Sequence, residues 1–476
     1  MSNVLLVTSN GTGMGHLTRQ AAVALALRSP HRATLFSLSL GLPHVLGLGL
    51  QGEYCPSYDR PWIASREWHR YLCDRLVAII DETGADAVLF DGVAPYPGIY
   101  RASRQRRGIP FIWLRRGMWQ KGANTAALDK TAYFDLVIEP GDLGSEGDEG
   151  PTAGRGDAVE TGPISILEPL EMKTRKQARE ELALPPDGPI ALLTLGSGRL
   201  GDVAGPGAAA LASLLENTPE WHVAVTRSPV ALNEIPLDQA DRVTELSGVY
   251  PLAAYLPAFD AAISSAGYNA VHELIPAGLP SLLVANTSTR TDDQVARARS
   301  LERQELALAA LDTDPDSVAA ACGQLVAERS RLRLAERAEN VMSVMTGASE
   351  VGAIVSGSPD GFEPRKRTLG ELIATARIET KERVKDMLGP EGTETVKRLL
   401  GRGEKAHHGR SRVNLVFSAD QTSDDALDLV MAESVTGELL AADHPVEHVL
   451  PGSSPGYASR RREIVDHYYD VIEGPD

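Results

Sequence analysis

The chain has 476 residues, too many for one hydrophobic core, so two or three domains are expected. Its 43% hydrophobic and 23% charged residues fit an ordinary globular protein, and no apolar run approaches the roughly 20 residues of a membrane span. The net charge of −17 excludes a general nucleic-acid binder, which needs a basic face to displace phosphate counterions, and leaves at most peripheral membrane contact through a local basic patch.

In chain order, "NVLLVT" (3–8) predicts a strand, followed by a helix over about 15–29 and a strand "RATLFSLS" (32–39). A helix around 65–83 precedes the strands "ADAVLFD" (85–91), "PFIWLR" (110–115) and "FDLVIEP" (134–140). Alternating strands and helices imply parallel βαβ units and an α/β doubly wound sheet. The Gly- and acid-rich stretch 141–162 reads as an exposed loop before the connection "PISILEP". A second series then runs through "PIALLTLGSG" (189–198), "WHVAVTRS" (221–228), "RVTELSG" (242–248), "DAAISSAG" (260–267) and "PSLLVAN" (280–286), ending in a long helix around 330–346. The expected division is 1–163, 164–355 and an appendage 356–476. In the appendage "RKRTLGELIATARIETKERVKDMLG" is a charged helical pattern and "RVNLVFSADQ" an isolated strand. Docking or homo-oligomerisation is its expected role. Cys55, Cys73 and Cys322 have no metal-ligand spacing, and "MSNVLLVTSN" has no basic region before an apolar stretch. A cytoplasmic protein without a disulfide framework is expected.

The first strand leads into "SNGTGMGHLTR". Gly11, Gly13 and Gly15 permit close approach of backbone to a ligand, and a helix N-terminus behind them attracts negative charge. Two common phosphate sites are disfavoured. His16 stands where a dinucleotide fingerprint has its third glycine, the second strand ends without the ribose-binding acid, and no Walker lysine is present. His16 reads either as a solvent-facing cap or as a general base, since imidazole titrates near neutral pH. Asp91, ending "AVLFD", is the candidate carboxylate to orient it; otherwise it caps the next turn.

The stretch "SSAGYNAVHELIPAGLPSLLVANTSTRTDDQ" (264–294) is more specific. A small-residue turn after a strand opens a helix bearing Glu273, which can take both hydroxyls of a ribose. Asp293 and Gln294, at the start of another helix, can hydrogen-bond a sugar. With the Gly-rich turn at 10–16, this pattern resembles the GT-B glycosyltransferases, especially family 28, over about 1–355. The resemblance implies two Rossmann-like domains facing a cleft, followed by an α+β appendage. It implies a nucleotide-sugar donor, UDP-linked by expectation, with no metal or other cofactor. By position it places the donor diphosphate and acceptor beside Gly13, Gly15 and His16, and the ribose on Glu273 near Gly267. The donor sugar falls on Asp293 and Gln294, and the second glycine loop on Gly196, Ser197 and Gly198. The base would lie near "GVYPLAAYLP". Arg227 is a further phosphate candidate, and Arg115, Arg116 and Trp119 are acceptor-side candidates. Trp62, Trp68 and Trp113 fit a sugar-stacking face or, more simply, the core.

Met14 and the Asp293–Gln294 pair depart from the family's peptidoglycan member, which has glycine and paired glutamines there, so the donor sugar stays open. The expected activity is inverting transfer to a sugar, lipid-linked or small-molecule hydroxyl. The form Gly13-x-Gly15-His16-x-x-Arg19, written "GMGHLTR", also resembles a nucleotide-sugar hydrolase. Hydrolysis or epimerisation in the same cleft, or nucleotide-sugar binding without catalysis, are the alternatives.

Overall fold

The computed structural model describes residues 1–9, 13–57, 65–196, 202–227, 235, 237, 241–364, 366–381, 384 and 415–417. Ser197, Gly198, Trp62, residues 10–12 of the Gly-rich turn and most of the appendage, including the "AHHGR" stretch at 406–410, lie outside these residues.

The first unit is built on β1 (Asn3–Thr8), β2 (Arg32–Ser37), β3 (Gly52–Tyr54), β4 (Ala87–Asp91), β5 (Phe111–Leu114), β6 (Leu136–Pro140) and β7 (Val159–Thr161). With helices α1 (Gly15–Ala26), α2 (Leu42–Leu46), α3 (Ser65–Thr83) and α4 (Pro97–Gln105) it forms βαβ crossovers. The second unit carries α5 (Arg175–Glu181), β8 (Ile190–Thr194), α6 (Ala204–Asn217), β9 (His222–Arg227), β10 (Val243–Ser247), β11 (Ala261–Ser265), α7 (Tyr268–Leu274), β12 (Ser281–Val284), α8 (Gln294–Arg303), β13 (Leu308–Ala310), α9 (Pro315–Val326) and α10 (Glu328–Ala338). Helix α11 (Gly347–Gly357), a helix α12 over 369–381 and a short strand β14 (Leu415–Phe417) follow.

The strand order is β14-β3-β2-β1-β4-β5-β6-β7 in the eight-stranded sheet and β10-β9-β8-β11-β12-β13 in the six-stranded one. All pairings are parallel except β14 with β3. The apolar runs have a direct cause here. Leu5 and Val7 enter one core cluster and Val4 and Leu6 the other, because alternate side chains of a central parallel strand bury opposite faces. Val88 and Phe90 against Ala87 and Leu89 repeat the pattern on β4. In each sheet the order reverses once, between β1 and β4 and between β8 and β11. Such switch points open a crevice at the carboxyl ends of the strands.

Three expectations require revision. The stretch 141–162 is no free loop: it forms a 3₁₀ turn at Ser145–Gly147, packs on α8, and ends in β7. Its glycines serve close packing, since a Cβ on Gly144 would press on Arg297 and one on Gly150 would overlap the Trp119 carbonyl. The long helix expected at 330–346 ends at Ala338, and a new helix starts at Gly347, where the chain passes tightly against Gly162 and Pro163. That helix, α11, returns to the first unit, burying Ala348, Val351 and Val355 in the same cluster as Val4, Leu6, Ala21 and Val23. The "NLVF" strand is not isolated, because Leu415–Phe417 pairs antiparallel with β3 at the sheet edge.

Candidate active site

The first switch point brings His16 and Asp91 together. Thr8 at the end of β1 is in register with Asp91 at the end of β4, and α1 starts over both. His16 Nδ1 lies 2.6 Å from Asp91 Oδ1. An ionised carboxylate only accepts, so Nδ1 carries the proton and Nε2 keeps its lone pair. One turn along α1, Arg19 forks onto the same carboxylate, donating from Nε to Oδ2 at 2.9 Å and from Nη2 to Oδ1 at 2.8 Å. Arg19 Nη2 lies 2.7 Å from His16 Nδ1; with the proton on Nδ1 both nitrogens are donors, and they are held together by their common acceptor, Asp91 Oδ1.

Asp91 is fully buried, which opposes its charge, but Arg19 and His16 outweigh burial and hold its carboxyl below the usual range. Burial is the largest influence on the His16 pKa and lowers it, Asp91 raises it by its charge and hydrogen bond, and Arg19 and Arg116 lower it, so the net shift is downward. The imidazole is therefore neutral at neutral pH. Removing one member of such a buried charge set costs about 3–5 kcal/mol, because the rest stays uncompensated.

The second switch point supplies α7, docked on the head of α1. Asn269 accepts from Arg19 Nη1 at 3.2 Å and donates to the Gly15 carbonyl at 3.1 Å. The Tyr268 ring lies beneath the Arg19 and Arg116 guanidinium groups, and its hydroxyl donates to the Gly141 carbonyl. His272, fully buried, accepts at Nε2 from the Leu143 amide at 3.0 Å, and its Nδ1 lies 2.6 Å from the Tyr268 carbonyl. Burial pushes its pKa down to about 4. Glu273, one turn beyond Asn269, has no compensating cation among the described residues, and burial pushes its carboxyl up to about 8. Tyr250 is close enough to feel its charge and hydrogen-bonds Thr18 of α1 at 3.2 Å.

A second ion cluster ties the units. Arg297 of α8, with no exposed side-chain surface, donates to Asp142 at 2.9 Å, to Asp292 at 2.8 Å and to the Ala266 carbonyl at 3.0 Å. Burial works against the charge of Asp292, yet Arg297 and Arg116 pull its carboxyl down to about 2. Arg116 reaches Asp292 at 3.4 Å and keeps a partly exposed side chain. Among the described residues, no group of His, Cys, Asp and Glu is arranged to hold a metal ion, and no helix is long and apolar enough to cross a membrane.

The remaining sequence candidates fall in several places. Gly15 opens α1, and a Cβ on Gly13 would meet nothing within 4 Å. Gly196 follows β8 with φ +89°, a conformation that favours glycine, and Gly267 precedes α7. Asp293 caps α8, accepting from the Ala296 amide at 2.9 Å, while its own amide donates to the Met118 carbonyl. The mostly buried Gln294 accepts from the Asn286 amide at 3.2 Å. Arg227 pairs across strands with Glu245 at 3.1 Å.

Arg115 is consumed inside the first unit by Glu139 and Asp157, so Arg116 is the one of the pair at the seam. Trp119 is buried and bridges to Asp292, while Trp68 and Trp113 sit in the core, which removes these rings as sugar-stacking faces. Arg19, Asn269, Tyr268, Asp142 and Arg297 were not singled out by role from sequence. The hints were Arg19 closing the form "GMGHLTR" and the polar Asn269, His272 and Glu273 on an otherwise apolar short helix.

Residues 238–351 match the glycosyltransferase family 28 C-terminal domain. No curated protein matches the chain. Among solved structures, the chain is similar to UDP-GlcNAc 2-epimerase from Neisseria meningitidis bound to UDP-GlcNAc, with TM-score 0.54, 15% identity, and coverage of 73% of this chain and 98% of that one. It is also similar to MnaA of S. aureus in complex with UDP, with TM-score 0.54, 13% identity and coverage of 77% and 99%. A glycotransferase of kitacinnamycin gives TM-score 0.51, 15% identity and coverage of 74% and 98%. At these identities the likeness is one of fold. The chain thus has the two-unit GT-B architecture, and the match to the glycosyltransferase family 28 C-terminal domain falls within its second unit.

Proposed function

We propose that the protein is an inverting glycosyltransferase using a nucleotide-sugar donor, UDP-linked by preference, and a hydroxyl acceptor. The observation that carries this reading is the neutral imidazole of His16, oriented by a buried, ionised Asp91 and facing the unit that holds the family 28 domain.

The acceptor hydroxyl gives its proton to His16 Nε2 as its oxygen bonds to the anomeric carbon. The bond from that carbon to the phosphate oxygen breaks on the opposite face, and its electron pair leaves with the nucleoside diphosphate. Asp91 stabilises the imidazolium formed. Arg116 and the amides at the head of α1 receive the charge on the leaving group. Glu273 takes the ribose hydroxyls, and Gly13, Gly15, Gly196 and Gly267 allow the approach of donor atoms. In this reading the side chain of Gln294 meets the donor sugar, with Asp293 holding the turn before α8. No step calls on a metal.

A positioned general base contributes about 10²–10⁴-fold. His16→Ala is expected to lower turnover by about that factor while nucleoside diphosphate binding, read by thermal shift, survives. Unchanged turnover would remove the base assignment. Screening UDP, GDP, ADP and TDP by thermal shift, with Glu273→Ala beside the native chain, identifies the donor base. Free sugar released from the donor without acceptor would select hydrolysis or epimerisation in place of transfer, and binding without turnover on any acceptor would select the non-catalytic reading.

A further inference from the structure

The hydrogen bonds around Asp91 do not end with the imidazole. Asp91 Oδ1 is shared by His16 and Arg19, and Arg19 in turn reaches across the seam to Asn269, which also holds the carbonyl of Gly15, the residue before His16. Asn269 and Glu273 lie one helical turn apart on α7. The helix that bears the ribose-binding candidate therefore touches both the side chain and the backbone that set the imidazole.

We infer that Arg19 is a positioning residue that makes the His16–Asp91 pair conditional on contact between the units, with Asn269 as the link. For turnover, this rests on His16 being the base. With α7 docked, the Arg19 fork is held at both ends. Asp91 is then kept ionised and its charge offset, and the imidazole stays neutral with Nε2 able to accept. With α7 displaced, Nη1 of Arg19 loses its acceptor and the fork loosens into solvent. Asp91 then acts on His16 less opposed, and the imidazole takes a proton before any substrate delivers one. The base is thereby armed only when the donor-side unit is in place.

The groups facing His16 are Arg19 on its own helix, Asp91 from β4, and Arg116 from the segment after β5. From α7 come Tyr268 beneath the two guanidinium groups, the neutral Asn269, and Glu273 a turn further on. Among the described residues, only Arg19 contacts both Asp91 oxygens.

The test is a histidine side-chain ¹⁵N NMR titration of the full chain without substrate, the His16 signal being assigned by its loss in His16→Gln. Arg19→Gln is expected to raise the His16 midpoint by about one pH unit, a tenfold gain in proton affinity, as expected when a close opposite charge loses its counterion. Arg19→Lys, which keeps the cation, is expected to restore most of the native midpoint. Asn269→Ala is expected to move it the same way as Arg19→Gln but by about twofold in affinity, and to shift the acid limb of the kcat profile upward by the same amount with donor KM unchanged. An unchanged midpoint in Arg19→Gln overturns the inference. Should that variant not fold, an unchanged midpoint in Asn269→Ala overturns it alone. Because the titration uses no substrate, failure of the base assignment in His16→Ala is a separate result and leaves this one standing.

Discussion

Glu273 shows how one carboxyl can report on the site. Its folded pKa of about 8 exceeds the unfolded glutamate value near 4.3, so folding favours the protonated form. Its contribution to stability is complete below about pH 4.3 and is lost as pH rises through 8. Glu273→Gln, which mimics the protonated acid, is expected to match the native Tm near pH 5 and to exceed it by a few degrees near pH 8.5, measured by thermal melts across that range. A constant Tm difference would mean that the carboxyl does not titrate in this window. Ribose hydroxyls donating to the group would favour its ionised form, so nucleotide binding near neutral pH should release protons.

The same scale shows what a sequence can disclose. His16 and Asp91 were legible as a pair because each follows an apolar strand run, and adjacent parallel strands end at one rim. Arg19–Asn269 and Arg297–Asp142 were not, since their partners are separated by 250 and 155 positions and meet only once the two units dock. Arg115 and Arg116 are equivalent on paper. The alternation of an extended segment sends one into Glu139 and Asp157 and the other to the seam.

At the level of elements, the central strands announced themselves because burial on both faces demands continuous apolar runs. The short strands β3 and β7 are three residues each, too short for any pattern to register. The stretch 141–162 misled because glycine has two uses: conformational freedom and absence of a side chain. In this stretch the second dominates at Gly144 and Gly150. Gly150→Ala should force the Trp119 carbonyl aside and cost about 1–3 kcal/mol, the usual cost of overpacking. Gly323→Ala, inside α9 with nothing within 4 Å of the added carbon, should instead stabilise by about 0.5–1 kcal/mol. Chemical denaturation of both variants checks the contrast, and equal effects would reject the packing explanation.

For the molecule as a whole, Arg297 is the principal cross-brace. It is buried between Asp142 of the first unit and Asp292 of the second, and it also holds the turn at Ala266. Arg297→Met would leave both carboxylates facing a low-dielectric seam without their main cation. A loss of about 3–5 kcal/mol is expected. Because the brace spans the units, calorimetry is expected to show one transition for the native chain and two for the variant. A single transition with unchanged midpoint would mean that the remaining contacts, those of α11 and of α7 on α1, keep the units coupled without the brace.

The return of α11 to β1 has a topological consequence. Ser2 Oγ donates to the Ser356 carbonyl at 2.8 Å, so positions 354 apart in sequence are neighbours in space. The two-unit body is a closed circuit of chain, whose seam of entry and exit is a few ångströms wide. A short linker joining 2 to 356 in a chain ending there, with a new opening at the exposed turn of Gly154, should give a circular permutant whose circular-dichroism spectrum and nucleotide response match those of the unpermuted chain ending at the same residue. Wherever the circuit is opened, the same two passages between units remain to be made. The order in which they are synthesised is then a matter of folding history and not of the final architecture.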